Sequence, residues 1–170
     1  MHNTRRMVLL ALLIAMASVL HVVESWLPLP LPVPGVKLGL ANIVSLIVIV
    51  MFGWRDAIYV AIVRVLLASL FGGIFFGPAF AMSLGGAIGS TVVMAYVYRH
   101  WHPGFSLIGI SIIGATIHNV VQIAVAAFLV SSMTLLWYLP YLILMALPTG
   151  LATGMTAVYF TAKAPKLMHR

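Results

Sequence analysis

The sequence predicts an all-α membrane protein, a bundle of six transmembrane helices with both termini in the cytoplasm. Three observations carry that prediction. First, 64% of the 170 residues are hydrophobic and 6% are charged, with a mean hydropathy of +1.18. Soluble domains carry about 25% charged residues, so this chain cannot build a water-facing surface around a core. Second, apolar runs long enough for a bilayer recur along the whole chain. Third, the nine Lys and Arg residues alternate between scarce and frequent from one inter-span segment to the next, as the positive-inside rule expects.

The first span covers about 7–27 and ends at Pro28, Pro30, Pro32 and Pro34, which cannot continue a helix. The second covers about 38–53 and the third about 57–72, with Trp54-Arg55-Asp56 between them. Gly72, Gly73, Gly77 and Pro78 mark a turn, and the fourth span follows at 79–98. Arg99 to Gly104 reads as a polar loop before the fifth span at 106–130. The sixth, at 135–160, contains Pro140 and Pro148, which should bend or break it unless neighbours satisfy the freed carbonyls. These spans form one integral membrane domain over 1–170.

With the N-terminus inside, the inner segments hold Arg5, Arg6, Arg55, Arg99, Lys163, Lys166 and Arg170, and the outer segments hold Lys37. Arg64 is left inside a span. Trp26, Trp54, Trp101 and Trp137 fall near span ends, where aromatic belts sit. Thr4-Arg5-Arg6 before an apolar run has the look of an export signal, with Ala15-Met16-Ala17 as a cleavage site. The run continues past Ala17 and five more spans follow, so a first transmembrane helix is the simpler reading.

Composition also excludes chemistry. The acidic residues are Glu24 and Asp56 alone. A paired-carboxylate acid/base site or an Asp-rich magnesium site needs more than these two distant groups supply. Cysteine is absent, so there is no thiolate nucleophile or thiolate metal site. His100 and His102 lie in a loop without a partner set, and no metal and no cofactor are expected. The net charge of +7 is topological rather than a nucleic-acid footprint. The chain is not expected to be an enzyme.

Polar groups in the spans are the candidates for function. A charge at mid-membrane costs roughly 3 kcal/mol or more and normally faces the bundle interior. Arg64 either meets an anionic ligand group or serves the fold, by pairing with a carbonyl or Glu24 or by snorkelling. His118, Asn119 and Gln122 share or flank one face of the fifth helix, which suggests a pocket. Asn42, Ser83 and Thr149 sit at similar depth; individually each reads first as interhelical glue. Lys37 could gather an anion at the pocket mouth or mark the interface, and Glu24 could select a cation or balance Lys37. Small-xxx-small spacings recur at Ala11/Ala15, Gly85/Gly89, Gly86/Ser90 and Gly150/Gly154, which permit close helix packing.

The segment Pro34-Gly35-Val36-Lys37-Leu38-Gly39-Leu40-Ala41-Asn42-Ile43-Val44, with Gly53-Trp54-Arg55-Asp56-Ala57, Arg64-Val65-Leu66-Leu67 and Ser83-Leu84-Gly85-Gly86, resembles one family over about residues 7–160. That family is the Gx transporter family, whose members are often labelled heptaprenyl diphosphate synthase component I. It is similar to the substrate-binding S components of energy-coupling factor (ECF) transporters, an likeness also carried by Ala11-Leu12-Leu13-Ile14-Ala15. The resemblance implies a substrate-capture subunit in a bacterial cell membrane, holding a small, anionic or vitamin-like solute. It implies docking through Ala11 and Ala15 onto an ECF transmembrane coupling subunit joined to ATPase subunits. Lys37, Asn42, Arg64, Ser83, His118, Asn119 and Gln122 are the candidate substrate contacts. The runner-up is a non-catalytic membrane accessory of prenyl diphosphate synthesis, and the third reading is a purely structural membrane subunit.

Overall fold

In a computed structural model, residues 3–26 and 36–168 are described. The Pro28–Pro34 run therefore lies outside the described residues. Six α-helices follow one another: α1 (Asn3–Trp26), α2 (Asn42–Phe52), α3 (Trp54–Phe71), α4 (Pro78–Trp101), α5 (Leu107–Leu129) and α6 (Leu139–Met168), with a short 3-10 turn, Met133–Tyr138, ahead of α6. The six-helix expectation holds. Four segments are long and apolar enough to cross a membrane: Thr4–Trp26, Pro78–Trp101, Leu107–Leu129 and Met133–Lys163. The chain is thus a helical membrane protein.

The other two helices depart from the expected spans, for physical reasons. The second begins at Asn42 rather than residue 38. Gly39 sits at φ +82°, a left-handed conformation that a helix interior does not allow, and residues 36–41 stay irregular. The 11 residues of α2 span only about 16 Å, half the hydrocarbon thickness. The third starts at Trp54 rather than 57, so Trp54-Arg55-Asp56 form its first turn instead of interrupting two spans. Gly53, at φ 96°, is the break. Asp56 in that first turn complements the positive end of the helix dipole. The fourth helix runs on to Trp101, so Arg99 and His100 sit in its last turn, where cations are favoured.

The sixth helix is continuous across Pro148 and does not break there. Pro140 lies in its first turn, where a missing N–H costs nothing. Past Pro148, Thr149 Oγ1 donates to the carbonyls of Met145 (3.0 Å) and Ala146 (3.2 Å), and Thr153 Oγ1 donates to Thr149 O (2.8 Å). These hydroxyls bond carbonyls of their own helix on either side of the proline.

Helix α2 is the hub. It packs against α1, α3, α4, α5 and α6, and Val44, Leu46, Ile47, Val48 and Ile49 are all buried. A helix apolar on every side is one surrounded on every side. Glycines bring α4 and α6 against α5. A Cβ on Gly150 would lie 2.6 Å from Ile112 Cα, and one on Gly154 2.7 Å from Ile108 Cα. Gly85 and Gly89 face Val121, and Gly85 also meets Val125. Those two glycine pairs are consumed by internal packing. Ala11 and Ala15 are exposed, on a face of α1 shared with Met7, Val8, Leu12 and Val19.

Candidate functional site

All seven candidate substrate contacts are buried. Lys37, Asn42, Arg64, His118 and Gln122 gather where the segment 36–42 folds between α1, α3, α4 and α5. The short α2 makes this possible: because it begins deep in the bundle, the irregular segment before it descends among the helices. Gln122 lies seven residues from the C-terminal end of α5, about 10 Å by helical rise. Arg64 lies seven residues from the C-terminal end of α3, at comparable depth.

The segment is held from several sides. Glu24 on α1 accepts from the backbone N–H of Gly39 (2.6 Å) and of Leu40 (3.2 Å). Gln122 Oε1 accepts from the backbone N–H of Lys37 (2.8 Å). Gly39 passes so close beneath its neighbours that a Cβ there would lie 2.8 Å from Asn42 Nδ2 and 3.1 Å from the His118 ring. Both a positive φ and this close approach require glycine at the position.

The cations have neutral partners. Arg64, 1% exposed, donates from Nη2 to Asn42 Oδ1 (3.0 Å), which also accepts from Ser90 Oγ (3.3 Å). Lys37 Nζ lies 2.6 Å from His21 Nε2; an ammonium only donates, so that nitrogen is the acceptor. Neither cation forms an ion pair with Glu24 or Asp56. Burial pushes the Lys37 ammonium down to about 8, although Glu24 opposes the shift. Asp56 pairs instead with Arg6, tying the start of α3 to the start of α1.

Tracing protons through this network fixes which groups remain open. Gln122 Oε1 is occupied by Lys37 N–H, so its amide nitrogen is the end that meets His118 Nε2. That imidazole nitrogen must accept, which puts the ring proton on Nδ1. His118 Nδ1 faces the backbone of Gly86 on α4. Arg64 Nε, Asn42 Nδ2 and Ser83 Oγ have no partner among the described residues. The first two are N–H donors and the third is a hydroxyl able to donate. The Asn119 Oδ1 acceptor is likewise without a partner.

Not every expectation converges. Asn119 donates to Leu142 O (2.8 Å), tying α5 to α6, and no hydrogen bond links it to the Lys37–Arg64 group. Ser83 is fully buried on α4 but likewise unlinked. Thr149 bonds its own helix. Two members were missed in the sequence: His21, which receives Lys37, and Ser90, which shares Asn42. His21 was legible in principle, as an ionisable residue on the same buried stripe of α1 as Leu13, Ala17 and Glu24. Ser90 had been read as a packing residue only.

A family model described as heptaprenyl diphosphate synthase component I matches residues 13–160. The chain belongs to that family. No curated protein and no solved structure matches it. The family description links this membrane protein to a prenyl diphosphate synthase. The geometry bears on what such a component can do itself. Ionising an allylic diphosphate calls for magnesium held by clustered carboxylates. Here Glu24 is spent on two backbone amides near the C-terminal end of α1, and Asp56 on Arg6 near the opposite end of that helix. The two acids of this family member cannot share one metal site.

Proposed function

We propose that this protein is a substrate-capture subunit of a membrane transporter, binding a small anionic solute in the pocket formed by Lys37, Asn42, Arg64, Ser83, His118 and Gln122. The observation that carries the reading is the surplus of donors. Two buried cations face one buried carboxylate already committed to backbone amides, and two N–H groups, Arg64 Nε and Asn42 Nδ2, stand unpartnered beside them. Unpaired buried donors cost about 1–3 kcal/mol each, and more when charged. An anion with several acceptor oxygens would satisfy them together, and Asn119 Oδ1 would suit a hydroxyl or amine of the same solute.

In this reading the whole chain is one membrane domain with cytoplasmic termini. The segment 36–41 covers the solute, and the protein is not itself an enzyme. It docks through Ala11 and Ala15 onto an ECF coupling subunit, with partner ATPase subunits supplying energy. The exposed alanine face of α1, with no use inside the molecule, supports that role. Native mass spectrometry of the detergent-purified protein tests the proposal. A single anionic small molecule should be retained by the wild type and lost from Arg64→Ala. Retention of nothing across cell-extract incubations would sink it.

The family description favours a second reading, a non-catalytic accessory of prenyl diphosphate synthesis in which Lys37 and Arg64 meet a diphosphate. Under that reading, deleting the protein changes the length or amount of the quinone side chain, and solute uptake is untouched.

A further inference from the structure

A cleft of about 540 Å³ lies at the opposite end of the bundle from the polar pocket, between the first turns of α3 and the last turns of α4. Its walls are Ile49, Ile58, Val92 and Ala95, with Trp54 and Tyr96 at the sides and Arg99 and His100 at one end. Val92, Trp54 and Tyr96 are exposed, so the cleft opens sideways, toward whatever surrounds the helices. From Val92 to His100 it follows α4 for eight residues, about 12 Å by helical rise.

In a membrane protein that surrounding medium is hydrocarbon near Val92 and headgroups near Arg99. Water has too few polar partners on such walls to fill the space. The charged end is complementary to an anion. Arg99 is exposed and makes no hydrogen bond or ion pair. On α3, the Arg55 guanidinium lies 5.3 Å from the ring of Trp54, a wall of the cleft. The His100 ring lies tilted by 35° against Tyr96, ring centroids 4.3 Å apart, and its Nδ1 lies 2.9 Å from the Tyr96 carbonyl. Aromatic rings and cations at one level, above an apolar slot, match an amphiphile with its head at the interface.

We infer that this cleft is a binding site for one anionic phospholipid of the cytoplasmic leaflet, its acyl chain between α3 and α4 and its phosphate against Arg99. The site is independent of the solute pocket, and neither reading needs the other.

The test is native mass spectrometry of the full-length protein with added phosphatidylglycerol or phosphatidylcholine of matched chains. The wild type should retain one phosphatidylglycerol in preference to phosphatidylcholine. Arg99→Gln should reduce that preference about five-fold, the effect of one basic residue near an anionic surface. Val92→Trp, at an exposed position where folding tolerates bulk, should lower retention of both lipids by filling the slot. Equal retention of the two lipids by the wild type overturns the inference, as does unchanged retention by Val92→Trp. Farnesyl diphosphate displacing the phospholipid at equimolar amounts would overturn it too, in favour of an isoprenoid ligand.

Discussion

Arg64 is where the glue and ligand readings part. A guanidinium fully buried with a neutral Asn42 as its hydrogen-bond partner carries a desolvation penalty of several kcal/mol that Glu24, which is not paired with it, offsets only in part. If Arg64 served the fold, removing it would loosen the bundle. If it awaits an anion, the empty protein loses little. We therefore expect Arg64→Met to leave the thermal midpoint of ligand-free protein unchanged or raised, by up to about 1–4 kcal/mol of stability. Asn42 Oδ1 can keep the Ser90 hydroxyl as its donor (3.3 Å), in competition with the Ala87 carbonyl (3.1 Å). The same variant should lose binding of the retained solute by two orders of magnitude or more, because truncating one side of a buried charge contact costs about 2–5 kcal/mol. A drop in the ligand-free midpoint with binding intact would assign Arg64 to structure. Lys37 gives a second handle. Its ammonium titrates near 8 in the folded protein rather than at 10.5. Between those values the unfolded chain holds the extra proton, so stability from this group rises with pH across that window. Anion binding has the opposite sign, since it needs the charged form. Solute affinity measured by calorimetry should hold below pH 8 and fall as pH rises to 9.5, and Lys37→Arg should flatten the decline.

Among the elements, the α5–α6 contact is the least forgiving. A methyl on Gly150 would meet backbone, Ile112 Cα at 2.6 Å, whereas one on Gly114 would meet the flexible Met94 side chain. Overpacking costs about 1–3 kcal/mol when nothing can move. Gly150→Ala should therefore lower the thermal midpoint in detergent clearly more than Gly114→Ala, and equal effects would mean the α5–α6 spacing is adjustable. These contacts also show what a sequence displays and what it hides. Glycine spacing announced close packing at Gly85/Gly89 and Gly150/Gly154, because the small side chain is itself the cause. The apolar runs located six helices for the same reason. The start of α2 was hidden, since Leu38 and Leu40 are as apolar as a span and only the φ of Gly39 ends the helix there. Pro148 alone does not decide whether α6 continues, and the structure carries the helix through it. Candidate residues were legible as polar groups in the wrong solvent. Their pairing was not: Asn119 turns to α6, and His21 joins the site only because segment 36–41 folds inward.

For the whole molecule, orientation and docking follow from one asymmetry. Arg55, Arg99 and the Arg6–Asp56 pair share an end, and Lys37, the basic residue assigned to the outer side, is buried. With no native cysteine, single-cysteine variants report on a clean background. A membrane-impermeant maleimide should label Ser131→Cys in intact cells and Gly104→Cys only after lysis; the reverse pattern would invert the topology. The Ala11/Ala15 face provides the assembly test. Both alanines are exposed on α1, so among the described residues a bulky side chain there has room and should not disturb the fold. A partner helix that approaches through small residues would be held off by the same bulk. Ala11→Trp and Ala15→Trp should therefore keep wild-type solute binding and thermal midpoint while abolishing co-purification with a co-expressed ECF coupling subunit. Tyr59→Ala, at another exposed position on α3, should leave the complex intact. A complex that survives both tryptophans would move the docking surface elsewhere. If no complex forms even with the wild type, solute capture, should it be measured, would have to be coupled to another partner or to none.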